Sequence, residues 1–369
     1  MKKLFLLPLI VSLVFIFSLS VKAVETLIDE EYYSEAINSI IDAETADKLQ
    51  DFGLESFTLD EIYSVSFDDI GRYFTTVLQE RIKASAGAFF RLLCIVVLGV
   101  SIKAFVSADG DNGISILSVI ATVFMSSEII NSVLNSLLAS MKTGGDFMLA
   151  FIPIYTVILS LSGNVSAAIT YNSLTFAFAQ GISAFINNFA VDLIGLYFAL
   201  SIAFSMNRSM KLSRFVATVN KISATVLGFF ASTFATMLSV RGLLSVAVDS
   251  ASSKSIKFLL SSLIPIVGSS ISDAYASVLG SINVIKGSVA FIGIIVILII
   301  TVPPIIESVV YCACFSVLSY LCDIADFSEL SDVLKSFSSG VRIVVLMSIF
   351  EMFILTVSTG IMLTAKGVV

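Results

Sequence analysis

Residues 288–322 read SVAFIGIIVILIITVPPIIESVVYCACFSVLSYLC, and Glu307 is the only charged residue in this run. A hydrocarbon core of about 30 Å is crossed by roughly 20 apolar residues in a helix. The run is therefore long enough for two crossings. The Pro303-Pro304 pair predicts a break between them, because proline removes a backbone donor and clashes with the preceding turn. We predict spans at 288–303 and 304–322.

The rest of the chain extends this apolar pattern. Hydrophobic residues make up 57% of the 369 residues and charged residues 13%, against roughly 45–50% and about 25% in soluble domains. Runs of spanning length recur, which predicts an all-α, polytopic membrane helical bundle of about 8–10 spans. The other predicted spans are 88–107, 114–138, 147–163, 166–190, 192–206, 222–241 and 341–364.

A weakly apolar stretch at 256–283 is more polar than these spans. It carries Lys257, Pro265, Gly268 and Asp273. It either crosses the membrane or forms a re-entrant, Pro-broken segment, which is tolerated only where protein or water covers the backbone. The choice decides on which side of the membrane the C-terminus lies.

The N-terminal region differs from the rest of the chain. Residues 1–23 have a basic start, an apolar run and small residues near the end, which predicts a secretory signal peptide. The alternative is an uncleaved first membrane helix. The acidic segment 24–86 is then a small extracytoplasmic helical domain, and 87–369 is the multi-pass membrane domain. A basic loop at 208–221 belongs in the cytoplasm by its charge, which also places the head outside.

The tripeptide Ile-Pro-Ile occurs at 152–154 and again at 264–266. This recurrence indicates an internal repeat of 114–206 and 226–318. The alternative is that the tripeptide recurs by chance in an apolar chain. Pro-interrupted segments at corresponding places in two halves mark the binding site of many transporters. The candidate elements of such a site are Pro153, Ser162, Gly163, Lys257, Pro265, Gly268 and Asp273.

Three carboxylates lie within predicted spans or beside their ends. Glu128 and Glu351 lie mid-span, and Glu307 follows the proline pair. Ionisable residues are costly in a membrane and mark polar pathways or proton-coupled sites. The alternative is that each carboxylate is kept neutral by its site or paired with a buried cation. The candidate cations are Arg91, Lys103 and Arg342.

Span 114–138 and the residues after it carry a polar stripe. Ser127, Asn131 and Asn135 recur every four residues, and so do Glu128, Ser132, Ser136 and Ser140. Residues at this spacing share one face of a helix. Such a face either lines water or hydrogen-bonds to another helix. Asn131 and Asn135 are therefore candidate site residues together with the three glutamates.

Several chemistries are excluded by what the sequence lacks. It contains no histidine, which removes Ser-His-Asp catalysis and His-ligated zinc. Neither a phosphate-binding loop nor a dinucleotide fingerprint is found, so an ATPase would be a separate subunit. The net charge of −7 argues against a nucleic-acid partner. We predict a protein that is not an enzyme and uses no cofactor or metal.

Three segments carry a resemblance to a known family. Lys257-Phe258, 263–268 (LIPIVG) and Ser272-Asp273-Ala274 together resemble the most distinctive segment of the stage III sporulation protein AE family. Residues 151–155 (FIPIY) with Ser162-Gly163 resemble a second segment. Smaller matches are Arg241-Gly242, Val248-Asp249 and Leu363-Thr364-Ala365.

The resemblance implies a protein of endospore-forming bacteria, made in the mother cell and located in the membrane around the forespore. It implies a membrane subunit of a mother-cell-to-forespore channel or secretion-like complex, either permease-like or export-gate-like, or else a structural scaffold for that complex. The implied partners are other membrane and ring-forming proteins of the same operon, a separate ATPase subunit and a forespore-side partner, besides the lipid bilayer. The residues alone also allow an ion-coupled small-solute transporter unrelated to sporulation.

Overall fold

A computed structural model describes residues 43–50, 52–54, 59–105, 111–161, 194–200, 268–363 and helical residues scattered through 218–236. Every regular element in these ranges is a helix, so the prediction of an all-α protein is confirmed. Short helical pieces occur at 194–200 and within 218–236. The principal helices are α1 (Ala43–Gln50), α2 (Leu59–Ser64), α3 (Phe67–Phe105), α4 (Asp111–Leu161), α5 (Gly268–Ile324) and α6 (Ser328–Leu363).

Four of these helices are long and apolar enough to cross a membrane. Their candidate spans are Phe67–Lys103, Ile116–Ile158, Lys286–Ile324 and Ser328–Thr359. This agrees with the prediction of a polytopic membrane helical bundle. The 51 residues of α4 and the 57 residues of α5 give helices of roughly 75–85 Å at 1.5 Å per residue. Both helices are therefore much longer than the hydrocarbon core they would cross.

The continuity of α4 and α5 corrects two sequence predictions. The predicted spans 114–138 and 147–163 are joined in α4 as far as its last residue, Leu161. The predicted spans 288–303 and 304–322 form one helix, so a break at the proline pair is wrong. Residues 268–283 belong to the same helix, whereas Pro265 lies outside the described residues, so a Pro-broken segment at 256–283 stays a prediction. At the proline pair of α5, the physical reason is that side chains of α3 and α4 replace the lost backbone bonds.

Other predicted segments fall outside the described residues. These are the signal peptide, span 166–190, most of span 192–206, much of span 222–241 and residues 256–267. The internal repeat of 114–206 and 226–318 includes long undescribed stretches and stays a prediction. The predicted boundary between 86 and 87 lies within α3, which is continuous there, and the division into two domains also stays a prediction.

The long helices pack as two hairpins. In the first, Gly99 of α3 faces Ser118 of α4. In the second, Ser331 of α6 donates to the Ser319 carbonyl of α5 at 3.1 Å. The turn between α5 and α6 is closed by Asp326, whose φ of 53° is left-handed. The backbone hydrogen bonds around Asp326 form a Schellman motif, which commonly ends a helix.

The two hairpins pack side by side with α3 parallel to α5. Tyr73 contacts Ile299 and Arg81 contacts Glu307, two pairs that share a separation of 226 residues along the chain. At the far end of α3, Lys103 donates to the Asp326 carbonyl at 2.8 Å. The register is therefore maintained over most of the length of α3.

The two halves of the bundle differ in how deeply they are buried. In the most apolar window of each span, 78% of α5 and 72% of α6 is buried, against 22% of α3 and 28% of α4. The apolar run of α5 from Val289 to Val302 is enclosed by side chains of α4, α6 and the N-terminal region, among them Phe151 and Phe52. The α5–α6 hairpin is thus the centre of the described structure, and α1 and α2 pack against it.

Candidate functional site

Two consecutive prolines lie in the middle of α5 without ending it. Pro303 and Pro304 have no N–H group, so the helix lacks the hydrogen bonds that would reach the carbonyls four residues earlier. Those carbonyls belong to Ile299 and Ile300, which lie in the buried apolar run of the helix. A buried carbonyl left without a donor costs about 1–3 kcal/mol. The sequence therefore creates two acceptors inside the bundle that must be satisfied by other groups.

Both freed carbonyls lie within hydrogen-bond distance of a hydroxyl from a neighbouring helix. The Tyr73 hydroxyl of α3 donates to the Ile299 carbonyl at 3.2 Å. The Ser140 hydroxyl of α4 lies 3.2 Å from the Ile300 carbonyl. These two contacts explain how α5 continues through the proline pair, because each replaces a backbone bond that proline cannot make.

The same Ser140 hydroxyl also faces a buried carboxyl group. Its Oγ lies 3.2 Å from Oε1 and 3.1 Å from Oε2 of Glu351 on α6. Only 5% of Glu351 is exposed. Within the described part of the chain, no lysine or arginine forms an ion pair with this carboxyl. Ser140 therefore joins the proline site of α5 to a carboxyl group on α6 that has no described counter-charge.

A glycine on α4 makes room for this carboxyl. A Cβ atom at Gly144 would lie 3.1 Å from Oε1 of Glu351 and 2.9 Å from the Leu355 side chain. The next residue, Gly145, has open space at the same position. Only the first glycine is therefore required by the close approach of α4 to α6.

A second buried carboxylate lies on α5 just after the prolines. Oε2 of Glu307 lies 3.0 Å from the Arg81 guanidinium of α3, and its Oε1 accepts from Ser132 of α4 at 2.8 Å. The Glu307 side chain is 7% exposed, whereas that of Arg81 is 37% exposed. Glu307 is thus a buried carboxylate with a charged partner that reaches the surface of the bundle.

The two carboxyl groups occupy successive levels of the bundle. Their serine partners, Ser132 and Ser140, are eight residues apart on α4. At 1.5 Å per residue this is about 12 Å, or roughly two helical turns. We call them the Glu307 level (Glu307, Arg81 and Ser132) and the Glu351 level (Glu351, Ser140 and the Ile300 carbonyl).

The third predicted carboxylate lies elsewhere. Glu128 pairs with Arg91 at 3.5 Å, and the two side chains are 69% and 55% exposed. Arg91 is one of the cations that the sequence proposed as partners. Asn131 and Asn135 follow on the same face of α4 and are also exposed. This polar face therefore lies on the outside of the described bundle.

The remaining predicted site residues are not brought together within the described residues. Pro153 lies inside α4, which is continuous there, and is exposed. Gly268 and Asp273 lie in the first two turns of α5. Ser162, Gly163, Lys257 and Pro265 lie outside the described residues. The predicted site formed by these elements stays a prediction.

Four residues of this region were not among the predicted site residues, and one of them is Ser132, which the sequence marked only as part of the polar stripe. The other three are Tyr73, Arg81 and Ser140, of which Ser140 also belongs to that stripe. A signal for Tyr73 and Ser140 was available, because each proline of a helix frees the carbonyl four residues before it. That rule marks Ile299 and Ile300 as acceptors in need of donors. Which donors reach them depends on the register of α3 and α4, which the sequence pattern does not encode.

Comparisons with known proteins identify a family and a curated relative that this chain resembles. The family model for stage III sporulation protein AE (spore_III_AE) matches residues 54–365. Stage III sporulation protein AE of Bacillus subtilis (strain 168) is 25% identical over 168 residues, which cover 46% of this chain and 42% of that relative. The matched region is thus less than half of the length of this curated relative. No solved structure matches the chain.

Proposed function

Because the chain belongs to the stage III sporulation protein AE family, we propose that this multi-pass sporulation membrane protein is the permease-like or export-gate-like subunit of a mother-cell-to-forespore complex. It would act in the mother-cell membrane around the forespore, with its N-terminal region outside the cytoplasm. It is not an enzyme in this proposal. A separate ATPase, ring-forming proteins of the same operon and a forespore-side partner would complete the complex.

The observation that carries the proposal is the pair of buried carboxyl levels at the proline site of α5. Intramembrane carboxyl groups are costly and mark substrate or ion pathways. Carbonyls freed within an interrupted helix serve as ligands for ions or protons in many transporters. The Glu307 and Glu351 levels lie roughly two helical turns apart, and the Glu351 level combines a buried carboxyl group with a freed carbonyl, that of Ile300. This combination favours a permease-like role of the bundle over a purely structural role.

Buried hydroxyl groups on α4 support the same proposal. Thr122 and Ser126 are one turn apart, each is 0% exposed, and neither hydroxyl has a hydrogen-bond partner among the described residues. Buried polar groups in native proteins are nearly always satisfied, commonly by water. A few water molecules beside α4 would satisfy them and would extend the polar path toward the Glu307 level.

A scaffold role is the second candidate, and the outer helices favour it. α3 and α4 expose large apolar side chains such as Phe90, Phe124 and Leu117. The Glu128–Arg91 face is exposed beside them. Lipid covers apolar side chains well, whereas an exposed charged pair is more readily covered by a protein partner or water. Both roles are compatible with a subunit of a larger complex.

Complementation of a deletion in the native host tests the two roles. The deletion strain would receive the wild-type gene, Glu351→Gln, Glu307→Gln or Glu128→Gln, and heat-resistant spores would be counted. Membrane levels of each variant and its co-purification with the operon's other membrane proteins would be measured in the same cells. For a permease-like role we expect Glu351→Gln or Glu307→Gln to reduce spore yield at least about tenfold while assembly stays normal.

The exposed-face variant separates the alternatives. Glu128→Gln should leave spore yield near the wild-type level if the buried levels carry the function. If both buried variants sporulate normally and Glu128→Gln loses its partners, the scaffold role replaces the permease-like role. If the deletion strain itself forms normal spores, neither role holds in this organism.

A further inference from the structure

We propose that Glu351, Ser140 and the Ile300 carbonyl form a proton-binding site inside the bundle, whose occupancy decides whether the proline site of α5 is fully hydrogen-bonded. The proposal concerns what the site binds, and it holds whether or not the protein conducts a solute. It follows from counting the hydrogen atoms available to these three groups.

The Glu351 level has one hydroxyl hydrogen and two competing acceptors. Ser140 lies 3.2 Å from the Ile300 carbonyl and 3.1–3.2 Å from both Glu351 oxygens. A hydroxyl has one hydrogen to donate and can also accept. If Glu351 carries a proton, it donates to Ser140, and Ser140 donates to Ile300. All three groups are then satisfied in a single chain.

Without that proton the chain of bonds cannot be completed. An ionised carboxyl only accepts hydrogen bonds, so Ser140 would donate to Glu351 and leave the Ile300 carbonyl empty. Pro304 cannot supply a replacement, because it has no N–H group. Release of the proton to water therefore removes one of the two hydroxyl donors that hold α5 intact at its prolines. The protonated form stabilises the continuous helix, and the ionised form favours opening at Pro303-Pro304.

Among the described residues, no other charged side chain forms an ion pair with the Glu351 carboxyl. On α4 the nearest charged residues are Lys142 and Asp146, both exposed. On α6 the nearest is Arg342, nine residues away and exposed. On α5 the nearest are Glu307, which pairs with Arg81, and Lys286, fourteen residues from Ile300. Each of these lies two helical turns or more along its helix or on an exposed face.

A proton fits this level better than a metal ion. Among the described residues no three His, Cys, Asp or Glu side chains are grouped as metal ligands. Na⁺ could bind the same oxygen atoms. A single proton, however, already supplies the one hydrogen-bond donor that the site lacks. The Glu307 level shows the contrast, because Arg81 and Ser132 supply donors to both of its oxygens.

Infrared spectroscopy of the full chain tests the site directly. The protein would be reconstituted in vesicles of phosphatidylethanolamine and phosphatidylglycerol, and pH-difference spectra would be recorded in the protonated-carboxyl region. We expect a carboxyl band at neutral pH that disappears on raising the pH. The band should be lost in Glu351→Gln and kept in the matched variant Glu307→Gln. In Ser140→Ala the band should persist with a shifted frequency and midpoint.

Hydrogen exchange supplies a second readout of the same site. Amide protection around residues 297–308, corrected for the intrinsic effect of pH, should fall about fivefold as the carboxyl ionises, the equivalent of one net hydrogen bond. Glu351→Gln should keep full protection at every pH, because its amide donates to Ser140 as the protonated carboxyl does. This measurement compares the wild-type protein with Glu351→Gln, so its result does not depend on whether Ser140→Ala folds.

Three outcomes would overturn the proposal. One is a wild-type spectrum that equals that of Glu351→Gln at every pH. Another is a band in Ser140→Ala with unchanged frequency and midpoint. The third is a midpoint that moves when choline replaces Na⁺, which would assign the site to sodium. Spore formation is not a readout here, so failure of the proton site and failure of the proposed function are distinguishable.

Discussion

The Glu307 and Glu351 levels place the same residue type in the same bundle with different partners. Glu307 is paired with Arg81, which is 37% exposed and reaches the surface of the bundle. Glu351 is enclosed, and its described polar contact is one serine hydroxyl. Burial alone therefore does not define the role of an intramembrane carboxyl. The partner decides whether its charge is fixed by an ion pair or depends on a proton.

The largest expected effect is on the Glu307 level. Arg81→Ala leaves Glu307 buried without its cation, and breaking a fully buried pair costs about 3–5 kcal/mol. Because Arg81 is partly exposed, solvent screening reduces this, and we expect a loss of about 2–3 kcal/mol in thermal unfolding of the purified protein. The exposed pair provides the control, since Arg91→Ala should cost less than about 1 kcal/mol. Equal losses in both variants would contradict the distinction.

The two adjacent glycines of α4 test how closely this helix packs at the Glu351 level. Gly144→Ala places a methyl group against Leu355 and Glu351, and overpacking of this kind costs about 1–3 kcal/mol. Gly145→Ala enters open space and should stabilise the helix by up to about 1 kcal/mol. Opposite signs in the unfolding temperatures of the two variants are the expected result. If both variants unfold at a lower temperature, the close approach of α4 to α6 is not specific to Gly144.

The link between the serine and the proline can be tested by a double-mutant cycle. Ser140→Ala should cost about 1–2 kcal/mol, because it leaves the Ile300 carbonyl without a donor. Pro304→Ala returns a backbone N–H that reaches this carbonyl. The cost of Ser140→Ala should therefore shrink by about half in the Pro304→Ala background. If the effects of Ser140→Ala and Pro304→Ala on the free energy of unfolding are additive, the proposed link between the serine and the proline is wrong.

The smallest effect is expected at the other freed carbonyl. Tyr73→Phe removes the donor to Ile299 but keeps the ring packed against Phe52, so we expect a loss of about 1 kcal/mol. This loss should not change with pH, because neither the Tyr73 hydroxyl nor the Ile299 carbonyl that it donates to is a carboxyl group. A pH-dependent loss in Tyr73→Phe would contradict this contrast between the Ile299 and Ile300 carbonyls.

Much of the fold could be predicted from the sequence because it rests on composition and length. The run at 288–322 predicts membrane-spanning helix by its apolar character alone, although the sequence divided it into two spans where the structure has one helix. The break predicted at Pro303-Pro304 failed because local rules consider only the helix that contains the proline. Donors from Tyr73 and Ser140, more than a hundred residues away in the chain, replace the missing bonds.

For the site, the sequence indicated the carboxylates but not their separate roles. Glu128, Glu307 and Glu351 are equally unusual in apolar runs, and no pattern distinguishes them. The structure places the first on the exposed outer face, pairs the second with Arg81 and encloses the third. These differences arise from helix register, which depends on packing over the whole bundle.

The sequence by itself determined that this chain is an all-helical membrane protein, and its motifs indicated the stage III sporulation protein AE family. Hydrophobicity, proline chemistry and charge are properties of residues, so they can be read from their order. Only the tertiary structure decided which helices are continuous and which oxygen each hydroxyl reaches. The physical reason is that a hydrogen bond is satisfied within about 3 Å, and in a helical bundle such distances are set by the packing of other helices.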